Sequence, residues 1–217
     1  MKTGNAELPV KNQQCDVPLA HYQGLYESLD PRAVAERCGL SFEATRAGEG
    51  FFLLRLMGTE YRAAFPVFEL RDLQGDDVRE PYEKILLIRY LCEGKFFESR
   101  GKRLSYNEIP WGPTYYRNFE GRCLKRAAHS FGNDLAAFRR MVEGLPGLRF
   151  EALDTGDAGY RFEFLNGLFI SLLIWAGDDE FPPSAQMLFD DNFIFAFTAE
   201  DLAAMGEVVI RRFKEKK

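Results

Sequence analysis

The pair Asn166-Gly167 sits between two largely apolar runs, YRFEFL and LFISLLIW, and constrains the fold more than any other feature of the chain. A two-residue turn of type I′ holds both central residues at positive φ, which Asn and Gly tolerate at little steric cost. The pair therefore predicts an antiparallel hairpin of residues 160–165 and 168–175. The second strand is nearly all apolar, so both of its faces must be covered and it is predicted to lie in the middle of a sheet.

Flanking segments supply the rest of that sheet. Residues 148–153 read as a strand joined to the hairpin by Thr155-Gly156-Asp157, and residues 185–189 as an edge strand after the Pro182-Pro183 break. Nearer the N-terminus Leu40, Phe42 and Ala44 alternate, and residues 51–57 and 61–70 follow around a Gly58-Thr59 turn as a hairpin or meander.

Helical spacing marks the other elements. Leu19, Tyr22, Leu25, Tyr26 and Leu29 recur at three- and four-residue steps up to Asp30. Asp30-Pro31 then supplies an N-cap and a first-turn proline for a short helix closed by Gly39. Pro81 opens a helix over residues 82–93, ended by Gly94, with Ile85, Leu86, Ile88, Arg89 and Cys92 on an inward stripe. The spacing returns at Tyr116, Phe119, Cys123 and Ala127, and again at Leu135, Phe138 and Val142 after Asn133 as N-cap. Thr198 with Asp201 three residues on is of capping-box type for a last helix to about residue 213. Residues 96–113, rich in Gly, Pro and aromatics, read as a long irregular connection.

Strands and helices in this order, without regular βαβ alternation, predict an α+β fold: a mixed or mostly antiparallel sheet with helices packed against it. One domain over residues 1–217 is expected, with sub-lobes at 18–95 and 114–217 and with residues 1–17 disordered. Twenty Phe and nine Tyr among 217 residues predict a core, or a pocket, built largely of rings.

Charge excludes some partners. Twenty-eight basic against 33 acidic residues leave a formal charge of −5 with the signs interspersed, and non-specific phosphate binding needs a concentrated basic surface. No nucleic-acid partner is expected. The local clusters at Arg100, Lys102 and Arg103 and at Arg211, Arg212, Lys214, Lys216 and Lys217 read as solvated faces and helix-end cations. The N-terminal residues carry no apolar run of the kind an export signal needs, and the longest apolar stretch, 168–176, is about half of a bilayer span. A cytoplasmic location away from the membrane is expected. Cysteines at 15, 38, 92 and 123 form no CxxC pair and read as reduced, mostly buried thiols, so no metal site is assigned to them.

Two segments carry chemistry worth testing. Asp178, Asp179 and Glu180, followed by Asp190, bracket Phe181-Pro182-Pro183 at the exit of the central strand, where two close carboxylates would bind a divalent cation or split their pKa values as acid and base. Ordinary turn chemistry is the preferred reading of Gly-Asp-Asp, because Asp side chains accept from nearby backbone N–H groups. The second segment holds Trp111, Tyr115, Tyr116 and Arg117, a set able to stack a flat anion in a concave site or simply to pack onto the sheet. Arg89, on an apolar helix face, must meet a carboxylate or a bound anion. His21 and His129 lie in no ligand or nucleophile spacing, and the chain has no HExxH, GxGxxG, Walker loop or GxSxG.

The stretch LFISLLIWAGDDEFPPSAQMLFDDN, followed by TAEDLAAMGEVVI, resembles the signature of an uncharacterised bacterial and archaeal group, domain-of-unknown-function family 3786. The residues that carry the resemblance are Trp175, Gly177, Asp178, Phe181, Pro182, Leu188, Phe189, Asp190, Glu200 and Asp201, in the last third of the chain. Residues 131–144 resemble the family more loosely. The resemblance implies an association of some relatives with iron–sulfur modules, but the clustered cysteines of such modules are missing here. It implies no reaction.

The leading expectation is a small-molecule or cofactor-binding or accessory protein, with Trp111, Tyr115, Tyr116, Arg117, Arg89 and Trp175 as ligand-binding residues and a pocket between the aromatic loop and the acidic strand exit. An acid/base or metal-dependent enzyme using Asp178, Asp179, Glu180 and Asp190, and a protein–protein interaction module, are the alternatives. No cofactor is assigned, and the partner expected is a small-molecule ligand or another protein.

Overall fold

The computed structural model describes residues 10–46 and 48–215. Helices α1 (Val10–Tyr26) and α2 (Pro31–Cys38) precede strands β1 (Phe42–Arg46), β2 (Glu49–Leu56), β3 (Thr59–Phe65) and β4 (Leu70–Asp72), then helix α3 (Pro81–Glu93). Strand β5 (Arg103–Ser105) and a 3-10 turn lead into α4 (Gly112–Phe119), a π-helical turn (Glu120–Lys125) and α5 (Arg126–Phe131), which continue one another. Helix α6 (Leu135–Glu143), strands β6 (Phe150–Leu153), β7 (Ala158–Leu165), β8 (Leu168–Trp175) and β9 (Ser184–Asp190), and helices α7 (Phe193–Ala196) and α8 (Ala199–Lys214) follow. The strands form one antiparallel sheet ordered β4-β3-β2-β7-β8-β9-β5, with β1 beside β2 and β6 beside β7. The fold is α+β.

The Asn-Gly turn forms as its chemistry requires. Asn166 and Gly167 take φ of 25° and 81°, and Leu165 pairs with Leu168 across it. Strand β8 lies between β7 and β9, with Leu168, Ile170, Leu172 and Ile174 fully buried on one face. A bulge between Glu163 and Leu165 lets Phe164 and Leu165 both turn to the core. The first hairpin turns at Met57-Gly58, one residue before the Gly58-Thr59 expected, again with both φ values positive. The hairpins meet where Leu56 pairs with Leu165 and the Met57 N–H donates to the Phe164 carbonyl.

Helices pack on the face that carries Phe52, Tyr160, Phe162 and Phe189. Tyr26 of α1 meets Phe52 and Phe65, Phe138 of α6 meets Tyr160, and Phe213 of α8 meets Phe162. The opposite face carries ion pairs instead, Arg55 with Glu163 and Arg161 with Asp190. Burial would raise the Glu163 pKa, but the Arg55 fork and the Gly167 N–H outweigh it and hold the carboxyl below the usual range.

Several sequence expectations are corrected. The connection over 96–113 is not wholly irregular: β5 pairs with Leu188, Phe189 and Asp190, so β9 is an edge strand only over its first half. Asp134, not Asn133, caps α6, because its carboxylate reaches the Ala137 N–H. Helix α1 begins well before Leu19, and residues 1–9 of the segment expected to be disordered lie outside the described residues. The buried side chains of α3 include Leu87, Tyr90 and Leu91, since neighbours cover it on several sides, and this leaves Ile85 and Arg89 half-buried.

One glycine sets a helix spacing. A Cβ built on Gly206, inside α8, would stand 2.3 Å from the Cys123 Sγ and 2.8 Å from its Cβ in the π-helical turn. Glycine inside a helix costs about 1 kcal/mol relative to alanine, so close approach decides the residue here. Gly206→Ala should lower stability by about 1–2 kcal/mol, overpacking of about 2–3 less that propensity gain. Urea denaturation checks this, and a stabilised variant would show that the contact relaxes freely.

Candidate ligand-binding groove

Helices α3 and α8 lie antiparallel and are tied at both ends by ion pairs. Glu83, in the first turn of α3, meets Arg211 and Arg212 near the end of α8, and Arg89, near the end of α3, meets Asp201 in the first turn of α8. Tyr82, Ile85 and Arg89 share one face of α3, and Glu200, Ala204 and Glu207 share one face of α8, each at three- and four-residue steps. The two faces border a groove of about 540 Å³, closed at its sides by Pro18 of α1 and Arg122 of the π-helical turn. Ile85, Leu86 and Ala204 supply its apolar lining, and Arg89, Arg122, Glu200, Asp201 and Glu207 its charged lining.

Arg89 and Arg122 are anchored. Arg89 Nη1 lies 2.5 Å from Asp201 Oδ1, its Nη2 lies 3.7 Å from Glu93, and its guanidinium sits 5.2 Å over the Tyr22 ring. Its buried Nε finds no hydrogen-bond partner among the described residues. The Asp201 carboxylate also accepts from the N–H and hydroxyl of Thr198, completing the capping box of α8. Burial pushes the Asp201 pKa up, opposed by Arg89 and Thr198. Across the groove Arg122 Nε donates to Glu207 at 2.6 Å, while its side chain stays about a third exposed at 36%. The π-helical turn determines where Arg122 points, and such turns recur at functional sites.

Clefts of similar size elsewhere are built differently. One of about 520 Å³ lies between α6 and the end of α8, and one of about 610 Å³ lies beside α2 and β1. The α3–α8 groove joins side chains from four separate segments, among them Arg89 and Arg122, each paired with a carboxylate of α8.

The residues singled out from sequence are scattered. Trp111, at φ 67° before α4, is 77% exposed, Tyr115 and Arg117 are exposed beside it, and Tyr116 packs partly against the core. Asp178 accepts from the Glu180 and Phe181 N–H groups of its own turn, which holds its pKa down, and Asp179 and Glu180 are exposed. Gly132, at the end of α5, abuts Pro183 beside that turn. The helical run from Gly112 to Phe131 therefore separates Trp111 from the acidic turn by about 30 Å at 1.5 Å per residue. The expected pocket between them is not formed. Asp190 lies at the other end of β9, about 20 Å from the turn at 3.3 Å per residue, where it is 2% exposed and held by Arg161 at 2.5 Å. Trp175 is half-buried at the end of β8.

Of those residues, Arg89 alone lines the groove. Asp201 was legible as a cap and, with Glu200, as a residue of the family resemblance, and Arg122 and Glu207 were not singled out. The spacing of Glu200, Ala204 and Glu207 is a signal that the sequence does contain. Among the described residues no three His, Cys, Asp or Glu side chains gather as a metal site, and no helix is long and apolar enough to cross a membrane. Cys38 and Cys92 are free thiols pushed up to about 11 by burial, and Cys123 is one pushed up to about 12.

Among protein families, the model described as a domain of unknown function, DUF3786, matches residues 30–212. No curated protein and no solved structure matches the chain.

Proposed function

The chain belongs to the DUF3786 family, and from that premise we propose that it binds a small polar molecule in the groove between α3 and α8. The observation that carries this reading is Arg122, which lines the groove and spends only its Nε on Glu207, leaving its two terminal nitrogens as donors, while Arg89 is held by Asp201 and Glu93. A guanidinium offers five donors in a fixed fork, and one carboxylate contact leaves most of them for a ligand. Groups held in place by neighbouring carboxylates lose little entropy on binding, which favours affinity. The buried, protonated thiols suit a reducing compartment, so a cytoplasmic location goes with this reading.

Thermal melting against a library of metabolites and cofactors tests the proposal. A ligand at 100 times its Kd adds about 2.7 kcal/mol, which raises Tm by about 5–10 °C for a chain of this size. Arg122→Ala should remove most of that rise. A library without effect, or a rise of equal size in Arg122→Ala, would count against the groove as the site.

A further inference from the structure

Resting on the groove as a ligand site, we infer the class of molecule it takes: a linear zwitterion, cationic at one end and anionic at the other, of the ω-amino carboxylate type. The order of charges along the groove carries the inference. At the start of α8, Glu200 is exposed, and its carboxylate forms no hydrogen bond or ion pair with the described residues. Beside it Asp201 is already spent on Arg89 and Thr198. An unneutralised carboxylate at this end attracts a cation. Toward the other end Arg122 uses Nε on Glu207, which leaves its two terminal nitrogens as donors for an anion. Ile85, Leu86 and Ala204 line the groove with apolar surface that suits a methylene chain.

Net charge rules against simpler ligands. Arg89 and Arg122 face Glu200, Asp201 and Glu207, so a dianion would meet an excess of carboxylate and a dication would leave the Arg122 donors unused. Length follows from the helix. Glu200 and Glu207, which holds the Arg122 guanidinium at 2.6 Å, are seven residues apart on α8, about 10 Å at 1.5 Å per residue, and a contact of about 2.8 Å from Glu200 and from Arg122 leaves roughly 5 Å between the ligand's charges. An extended chain of three or four methylenes meets that span.

The probes are glycine, 4-aminobutanoate, 5-aminopentanoate and 8-aminooctanoate, with butanoate, butylamine, glutarate and 1,4-diaminobutane as controls, titrated calorimetrically against the full chain. The expected result is tightest binding by the four- and five-carbon amino acids, weakened about 10- to 100-fold in both Glu200→Gln and Arg122→Gln, the worth of one charge-assisted hydrogen bond. Equal or tighter binding of glutarate or diaminobutane, or affinity independent of chain length, overturns the zwitterion. So does a response only to some other library compound, and if that response needs Arg122 the groove itself stands as a binding site. Silence from every probe and from the whole library overturns both.

Discussion

Glu83→Gln is expected to lose about 3–5 kcal/mol of folding stability, the cost of leaving a buried charge without its partner. The Glu83 carboxylate is 4% exposed and receives Arg211 Nη2 at 2.5 Å, Arg212 Nε at 2.8 Å and Arg212 Nη2 at 2.6 Å. Arg212, itself only 7% exposed, also donates to Thr59 Oγ1 and to the Tyr61 hydroxyl, so one guanidinium links α3, α8 and β3. Burial would lower the Arg212 pKa, but Glu83 and Tyr61 outweigh it and the net shift is upward; a guanidinium is in any case too basic to lose its proton in a protein, so the arginine keeps its charge when Glu83 is neutralised. Arg211 suffers less, since Glu80 and Glu215 remain beside it and it is 24% exposed. The midpoint of a urea titration should fall with little change in slope. Replacing Glu83 and Arg212 together by methionine should recover most of the loss, because no unpaired buried charge remains. A loss under about 1 kcal/mol in Glu83→Gln would show that water reaches the pair.

Phe213→Ala is expected to cost a similar amount, about 3–5 kcal/mol, by a different mechanism. Phe213 lies in the last turn of α8, is 3% exposed, and sets its ring edge-on to Phe162 at 5.1 Å, Phe138 at 6.2 Å and Phe131 at 6.4 Å. Strand β7 and helices α5 and α6 therefore share one aromatic contact with α8. Truncation removes the ring's transfer free energy and leaves a void that three rigid neighbours cannot fill by small shifts. Phe213→Leu keeps most of the volume and should retain most of the stability, as judged by thermal and urea unfolding. Equal losses for leucine and alanine would point to the ring geometry rather than to filled space.

The local signals of the sequence were well matched by the fold because each concerns a few adjacent residues. Asn166-Gly167 specifies its own turn through φ, Thr198 and Asp201 cap α8 from within one turn, and Pro81 and Gly94 bracket α3. The apolar run of β8 placed it centrally, since a strand without a polar face has to be covered. Where a local signal was short or shared, it misled. Strand β5 has three residues and carries no usable period, and Asn133 and Asp134 are equally good caps until the chain chooses which side chain reaches the Ala137 N–H. The acidic turn was read both as turn and as site, and the bonds of Asp178 to its own backbone are those of a turn.

The groove was barely legible. Burial on a helix face required that Arg89 find an anion, but the choice of Asp201 rests on α3 and α8 lying antiparallel. Arg122 faces Glu207 because a π-helical turn shifts the phase of its helix, and Gly206 lets that turn approach α8. By itself the sequence determined most of the strands and caps, the α+β class and the family, because these follow from backbone dihedrals, hydrophobic period and motif within short windows. Tertiary structure alone decided which charges meet. Glu83 and Arg211 are 128 residues apart in the chain, and a pairing across that distance is set by how whole helices cross, which no local window encodes.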